Sequence, residues 1–202
     1  MMSTEDHARL AKAVRDVEAR TAGEIVVVVA EQASSYRSLP LIWAMLAALF
    51  TPWPLISFTA LGPSRIFLAQ LVVALGLGLI LSWPSLRLAL VPQAIKRVRA
   101  HEAAAREFIA RGLTRTRERT GVLIYVALAE HHAEILADTG IADRVDAGIW
   151  RDIIADLTTT IRDGRMTDGL VAAIERAGAV LAEHAPPRLD DTDELPNKII
   201  LL

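Results

Sequence analysis

The chain has 202 residues, 52% of them hydrophobic, a formal net charge of −2 and a mean hydropathy of +0.34, and it contains no cysteine. The absence of thiols excludes disulfide frameworks, thiolate zinc sites and cysteine nucleophiles. The charge balance and the acidic C-terminal part argue against a nucleic-acid ligand, for which a basic face is the usual footprint.

Ser3-Thr4-Glu5-Asp6 opens a helix in capping-box style, with Ser3 as cap and Asp6 reaching back. Leu10, Ala13, Val14 and Val17 continue it at helical spacing to Arg20, and Thr21-Ala22-Gly23 stops it. This charged N-terminal stretch lacks the apolar core of a signal peptide, so any membrane targeting is expected to come from a later segment. Glu24 to Ala30 reads as a strand buried on both faces, because its apolar run does not alternate.

Arg37, Arg65 and Arg87 then bracket two stretches without a charged residue, Ser38 to Ser64 and Ile66 to Leu86. Each is long enough to cross a hydrocarbon core, which takes roughly 20 mostly apolar residues in helical form. Residues 38–86 are therefore expected to form a transmembrane helical hairpin in the lipid bilayer. Pro52 and Pro54 predict a kink or an early helix end, Gly62-Pro63 suits the turn, and Gly76 and Gly78 allow close helix contact. Trp43 and Trp83 fall towards one interface, with Trp53, Phe58 and Phe67 towards the other. Arg20, Arg37, Arg87, Lys96, Arg97 and Arg99 flank the outer ends, against Arg65 alone in the loop. The positive-inside rule then places both termini and the soluble domain in the cytoplasm of a bacterial inner-membrane protein.

Pro92 begins a long helix to about Arg111, with Ile95, Val98, Ala105, Phe108 and Ile109 expected inward; Gly112-Leu113 closes it. Residues 88–129 hold eight Lys/Arg against three Glu, whereas residues 130–202 hold fifteen Asp/Glu against seven Lys/Arg. The basic part directly follows the second apolar segment, where anionic lipid would hold Lys96, Arg97 and Arg99; the alternative is a solvated helix face. Gly121 to Leu128 reads as a second buried strand, Glu130-His131-His132 as a turn, and Ala133 to Asp138 as a third strand in a hairpin with the second. Asp146 can cap a helix from Ala147 to Ile161, packing Ile149, Trp150, Ile153, Ile154 and Leu157. Thr167 can cap the last helix, which carries Leu170, Val171, Ile174, Val180 and Leu181. After Pro186-Pro187 comes a polar tail, Asp190-Asp191-Thr192-Asp193-Glu194-Leu195-Pro196, ending in Ile199-Ile200-Leu201-Leu202.

This order predicts an α/β (α+β) fold, helices packed on a small mixed β-sheet and interrupted by the two-helix hairpin. Residues 1–37 and 87–187 would form one discontinuous soluble domain, with 188–202 as a C-terminal tail.

Asp138, Asp143 and Asp146 flank a strand-to-helix connection through Thr139-Gly140-Ile141, and are the candidate metal ligands. Several carboxylate oxygens in such a loop suit a hard cation, Ca²⁺ or Mg²⁺, which would in turn polarise a phosphoester. The competing account is that Asp146 caps a helix and Asp143 is solvated, with Arg144 neutralising the loop. Glu24 is either a carboxylate at a sheet end or a salt-bridge partner of a helix arginine. His131 and His132, adjacent on one strand, point to opposite faces and read better as a turn than as ligands. His7, His101 and His184 show no partner spacing, and Tyr125 and Trp150 read as core residues. No phosphate loop, nucleophile elbow, zincin, dinucleotide or EF-hand pattern occurs.

The segments Glu18-Ala-Arg-Thr-Ala-Gly-Glu-Ile-Val-Val-Val-Val29, Thr120-Gly-Val-Leu-Ile-Tyr-Val126, Glu134-Ile-Leu-Ala-Asp-Thr-Gly-Ile141 and Asp168-Gly-Leu-Val-Ala-Ala-Ile174 resemble the TPM domain. That domain is shared by thylakoid-lumen acid phosphatase-like proteins, photosystem repair factors and a nematode receptor modulator. With the tail Asp190 to Pro196, the chain is similar to a bacterial branch in which a membrane hairpin interrupts the domain after its first strand. The resemblance implies that fold, membrane association, and relatives that bind calcium, show acid phosphatase activity or assist membrane complexes. Two functions follow as expectations: an interaction or assembly module with a membrane-protein partner, or a divalent-metal-dependent phosphatase using Asp138, Asp143 and Asp146.

Overall fold

A computed structural model of the chain describes residues 3–36, 38–187 and 199–202. Arg37 and the acidic tail segment Asp190 to Pro196 lie outside the described residues. The chain forms two compact units, Met1–Ala33 with Arg97–Leu202, and Ser34–Lys96.

In the first unit, α1 (Thr4–Glu18) starts at Ser3 with both bonds of the capping box in place: Ser3 Oγ accepts from Asp6 N, and the Asp6 carboxylate accepts from Ser3 N. β1 (Glu24–Ala30) is buried along its whole length, as its unbroken apolar run requires. α6 (Gln93–Ala110), in the numbering that counts the helices of the second unit, ends before Gly112, whose φ of +77° makes the turn that glycine tolerates. β2 (Gly121–Ala127) and β3 (His132–Ala137) form the expected antiparallel hairpin, and β2 also runs parallel to β1, pairing Val28 with Tyr125. Asp146 caps α8 (Ala147–Arg162), accepting from Gly148 N at 2.7 Å. α9 (Met166–His184) follows.

The sheet order is β3-β2-β1-β4, where β4 is Ile199–Leu201, parallel to β1. Sequence reading leaves these residues as the end of a polar tail; in the structure they close the exposed edge of β1. Leu202 N donates to Val29 O, and Glu31 N donates to Leu202 O.

Alternation along the two central strands divides the core into two layers. Ile25, Val27 and Val29 of β1, with Val122, Ile124 and Val126 of β2, face α1, α8 and α9 through Leu10, Val14, Ile153, Leu157, Ile174 and Leu181. Val26, Val28, Leu123 and Tyr125 face α6, which meets them with Ala100, Ala103, Ala104 and Phe108. Val98 and Ile109, expected inward, are 57% and 66% exposed. The reason is steric: alanines let the helix backbone approach the sheet, so Ala100, Ala103 and Ala104 with Phe108 mark the inner face, and Val98 and Ile109 lie outside it. Thr167, expected as a cap, sits inside α9; the N-cap position is Arg165, without a side-chain cap bond. Ile149 is also exposed, while Ile153 and Leu157 carry the buried face of α8.

In the second unit, α2 (Ser38–Phe50) and α3 (Pro52–Phe58) join through Thr51, which keeps helical dihedrals and places Pro52 at the first turn, where a missing N–H costs little. Together they make a 21-residue apolar stretch, and α4 (Pro63–Leu81) a second of 19, both long and apolar enough to cross a membrane. The second stretch ends at Leu81 rather than Leu86, because Pro84 begins the short α5 (Pro84–Ala89). α2 packs on α4, and its buried residues are Pro40, Ala44 and Ala48, four apart on one face. Gly76 and Gly78 are not the close contact expected of them, since a Cβ on either would meet nothing within 4 Å.

Candidate functional site

The three aspartates are placed differently by the local chain. Asp138 follows the last residue of β3, donates its N–H to Gly121 O at 2.9 Å, and caps α7 (Thr139–Ala142), its Oδ1 accepting from Thr139 N at 2.8 Å. It is 6% exposed, and its Oδ2 is buried without a hydrogen-bond partner among the described residues. Arg119 Nη1 stands 3.5 Å from Oδ1. Asp143 is exposed at the C-terminal end of α7, and Asp146 is exposed at its capping post on α8. No group of three or more His, Asp or Glu side chains that could hold a metal ion occurs among the described residues. Asp138 is thus the buried member, and Arg119 rather than Arg144 stands beside it; Arg144 Nη1 donates to His184 O.

The α7 turn is held against the preceding loop. A Cβ on Gly140 would meet the carbonyl oxygens of Glu118 and Arg119, the second at 2.6 Å, both backbone atoms that cannot swing away. Arg119 itself has a φ of +58°. Glu24 lies buried at the head of β1, opposite Gly121 in the ladder, so it belongs to the same end of the sheet as Asp138.

A second polar cluster lies on the sheet face covered by α6. Glu134 of β3 stands opposite Tyr125 of β2. Its Oε2 is 2.9 Å from His101 Nδ1 on α6, and its Oε1 is 3.5 Å from His132 Nε2. Burial raises the Glu134 pKa, but the neighbouring His132 and His101 outweigh it and hold the carboxyl below the usual range. Tyr125, fully buried, is pushed up to about 12 by burial and then by the charges of Glu130 and Glu107. Glu130 is buried at the hairpin turn, where its Oε1 accepts from Ala33 N at 3.0 Å.

Sequence reading treats His101 as isolated and Glu130-His131-His132 as a turn. His131 is the turn residue, with a φ of +51°, while His132 opens β3. The His132-x-Glu134 spacing, which puts both on one face of a strand, is the available local signal. The contribution of His101 comes from another element and carries no such signal. Chemically, the cluster sets one carboxylate within reach of two imidazoles, and the Asp138 turn offers one buried carboxylate beside a guanidinium.

Residues 85–180 match the family model of the TPM domain. The fold is similar to that of the BA42 protein from the psychrophilic bacterium Bizionia argentinensis, solved by NMR, with a TM-score of 0.62 at 23% identity over 100% of this chain and 95% of that one. No curated protein is significantly similar to the chain. The β2–β3 hairpin, α6, α7, α8 and most of α9 lie inside the matched stretch, so residues 85–180 are similar in sequence to the TPM domain.

Proposed function

We propose that the protein is a membrane-anchored TPM domain that serves as an interaction or assembly module at the bacterial inner membrane, with the domain and both ends of the chain on the cytoplasmic side. The observation that carries this reading is the exposure of large apolar side chains along both long apolar helices: Leu49, Phe50, Trp53, Phe58, Phe67, Leu75 and Leu79 are all more than half exposed. In water so large a contiguous apolar surface would drive association; in a bilayer it is the solvated state. Backbone satisfaction within helices is the other requirement of a membrane span, and the helical run of α4, with α2 and α3 joined through Thr51, supports the reading. The arginine bias across the loop supports the orientation.

The test is crosslinking of the full chain in native membranes, with compartment-restricted labelling at Arg65→Cys and at Asp152→Cys. A partner captured through the domain, with label 65 reached only from outside and label 152 only from inside, is the expected result. Equal labelling of both sites from one side would sink the topology, and a partner captured equally well after excision of the domain would sink the docking role.

A second reading, a divalent-metal-dependent phosphatase, rests on the buried Asp138 oxygen that lacks a hydrogen-bond partner among the described residues. It expects millimolar Ca²⁺ or Mg²⁺ to raise the unfolding temperature of the wild type and not of Asp138→Asn. Stabilisation that persists in the variant would remove Asp138 as a ligand.

A further inference from the structure

α6 is apolar on two sides. Its alanine side accounts for the sheet, and nothing in the described unit uses the other. Val98 and Ile109, both more than half exposed, are eleven residues apart, which on an α-helix brings them within about 20° of one line. Ala105 lies between them, half-buried, and the acid on this side, Glu102, is held at 2.9 Å by Arg99 Nη1. Arg97, Arg99 and Arg106 are exposed around the stripe, whereas Lys96 is buried and does not belong to it. One exposed valine would need no explanation. A two-residue apolar line rimmed by guanidinium groups, on the helix that follows α4 with only α5 between, has the chemistry of an interfacial helix.

We propose that the outer face of α6 lies on an anionic bilayer surface, with Val98 and Ile109 entering the interface and Arg97, Arg99 and Arg106 on lipid phosphates. The inference rests on the membrane reading above and adds a second contact with the bilayer, together with its lipid class. A second copy of the chain is the poorer occupant, since a symmetric contact through this face would set arginines against arginines. The attraction is electrostatic in part, so it weakens with salt as the Debye length shortens.

Because the chain has no cysteine, single nitroxide labels can be placed at will. Full-length Leu75→Cys, Val98→Cys, Ile109→Cys and Asp152→Cys are labelled in nanodiscs of neutral lipid or of neutral lipid mixed with phosphatidylglycerol. Accessibility is read with oxygen, which partitions into lipid, and with a nickel chelate, which stays in water. The expected pattern is lipid-like accessibility at 75 in both discs, water-like at 152 in both, and a several-fold fall in nickel access at 98 and 109 only with phosphatidylglycerol. Adding Arg97→Glu, Arg99→Glu and Arg106→Glu should restore nickel access at 98 and 109. Labels 98 and 109 as open to nickel as 152, with 75 in lipid, would overturn this proposal and leave the hairpin standing. Shielding from both reagents would also overturn it, because protein would then cover the face. Loss of nickel access that survives the charge reversals would overturn the role of anionic lipid. A water-like label at 75 would overturn the membrane reading itself, and this proposal with it.

Discussion

Glu134 shows how a partly buried carboxylate is kept charged. Its depressed pKa means that the stabilisation is present above the unfolded value, near 4.5, and is lost as pH falls through the lower folded value. Glu134→Gln should therefore cost about 1.5–3 kcal/mol at neutral pH, the range for hydrogen bonds to a charged group. Denaturant unfolding in detergent should show the gap between wild type and variant closing as pH falls through the lowered folded-state value of the carboxyl. A gap of constant size across that range would mean the carboxylate contributes through shape alone. Gly140→Ala probes the other end of the sheet. The added methyl would press on two backbone carbonyls, one of them 2.6 Å away, and overpacking of this kind costs about 1–3 kcal/mol. The unfolding temperature should fall by several degrees, with no comparable loss in Gly76→Ala, where the space is open. At this scale two of the three expected caps were legible: Ser3 and Asp146 bond within three residues of themselves, so their spacing states their role, whereas Thr167 falls inside α9. His101 with Glu134 was not, because the pair joins elements 33 residues apart. Asp138 was singled out by its loop, yet its burial and its pairing with Arg119 depend on how the Gly140 turn seats, which no local pattern states.

At the scale of the element, α6 is the instructive case. A hydrophobic pattern weighs Val98 and Ile109 above alanine, so periodicity sets them inward with Phe108, and of these three Phe108 alone reaches the sheet. Close packing weighs volume, and the three alanines at the sheet allow an approach that larger residues would prevent. Ala104→Leu should accordingly lower stability by about 1–3 kcal/mol, while Val98→Ser in detergent should change it by less than about 0.5 kcal/mol; reversal of that ranking in chemical unfolding would refute the facing described for α6. β4 was missed for a different reason. Three apolar residues after an acidic stretch are too short to show a period, and their role is fixed by the vacant edge of β1. Removing residues 199–202 should speed hydrogen exchange at the Glu31 amide, which now donates to Leu202 O, and leave the β2–β3 amides protected. Unchanged exchange at Glu31 would place β4 elsewhere. The strands β1 and β2 were legible at once, since unbroken runs such as Val26-Val27-Val28-Val29 have no reading but burial on both faces.

For the whole molecule, the division into two units predicts that residues 34–96 can be replaced by a short flexible linker without loss of the remaining domain. The excised protein should stay dispersed in buffer without detergent and unfold in one cooperative transition by circular dichroism. Aggregation on removal of detergent would show that the domain depends on the apolar helices for its fold. The insertion also sets an order of events during synthesis. β1 is made early, but its central partner is encoded about a hundred residues later, across the whole apolar stretch. At about 5–20 residues per second, a fully apolar strand leaves the ribosome roughly 5–20 s before the strand it must pair with. In that interval the apolar helices emerge and β1 remains an unsatisfied edge, open to any passing chain. The nascent protein is therefore exposed to misassembly between the making of β1 and that of β2, and chaperone dependence should concentrate in that interval rather than in the making of the β2–β3 hairpin, whose pairing is local.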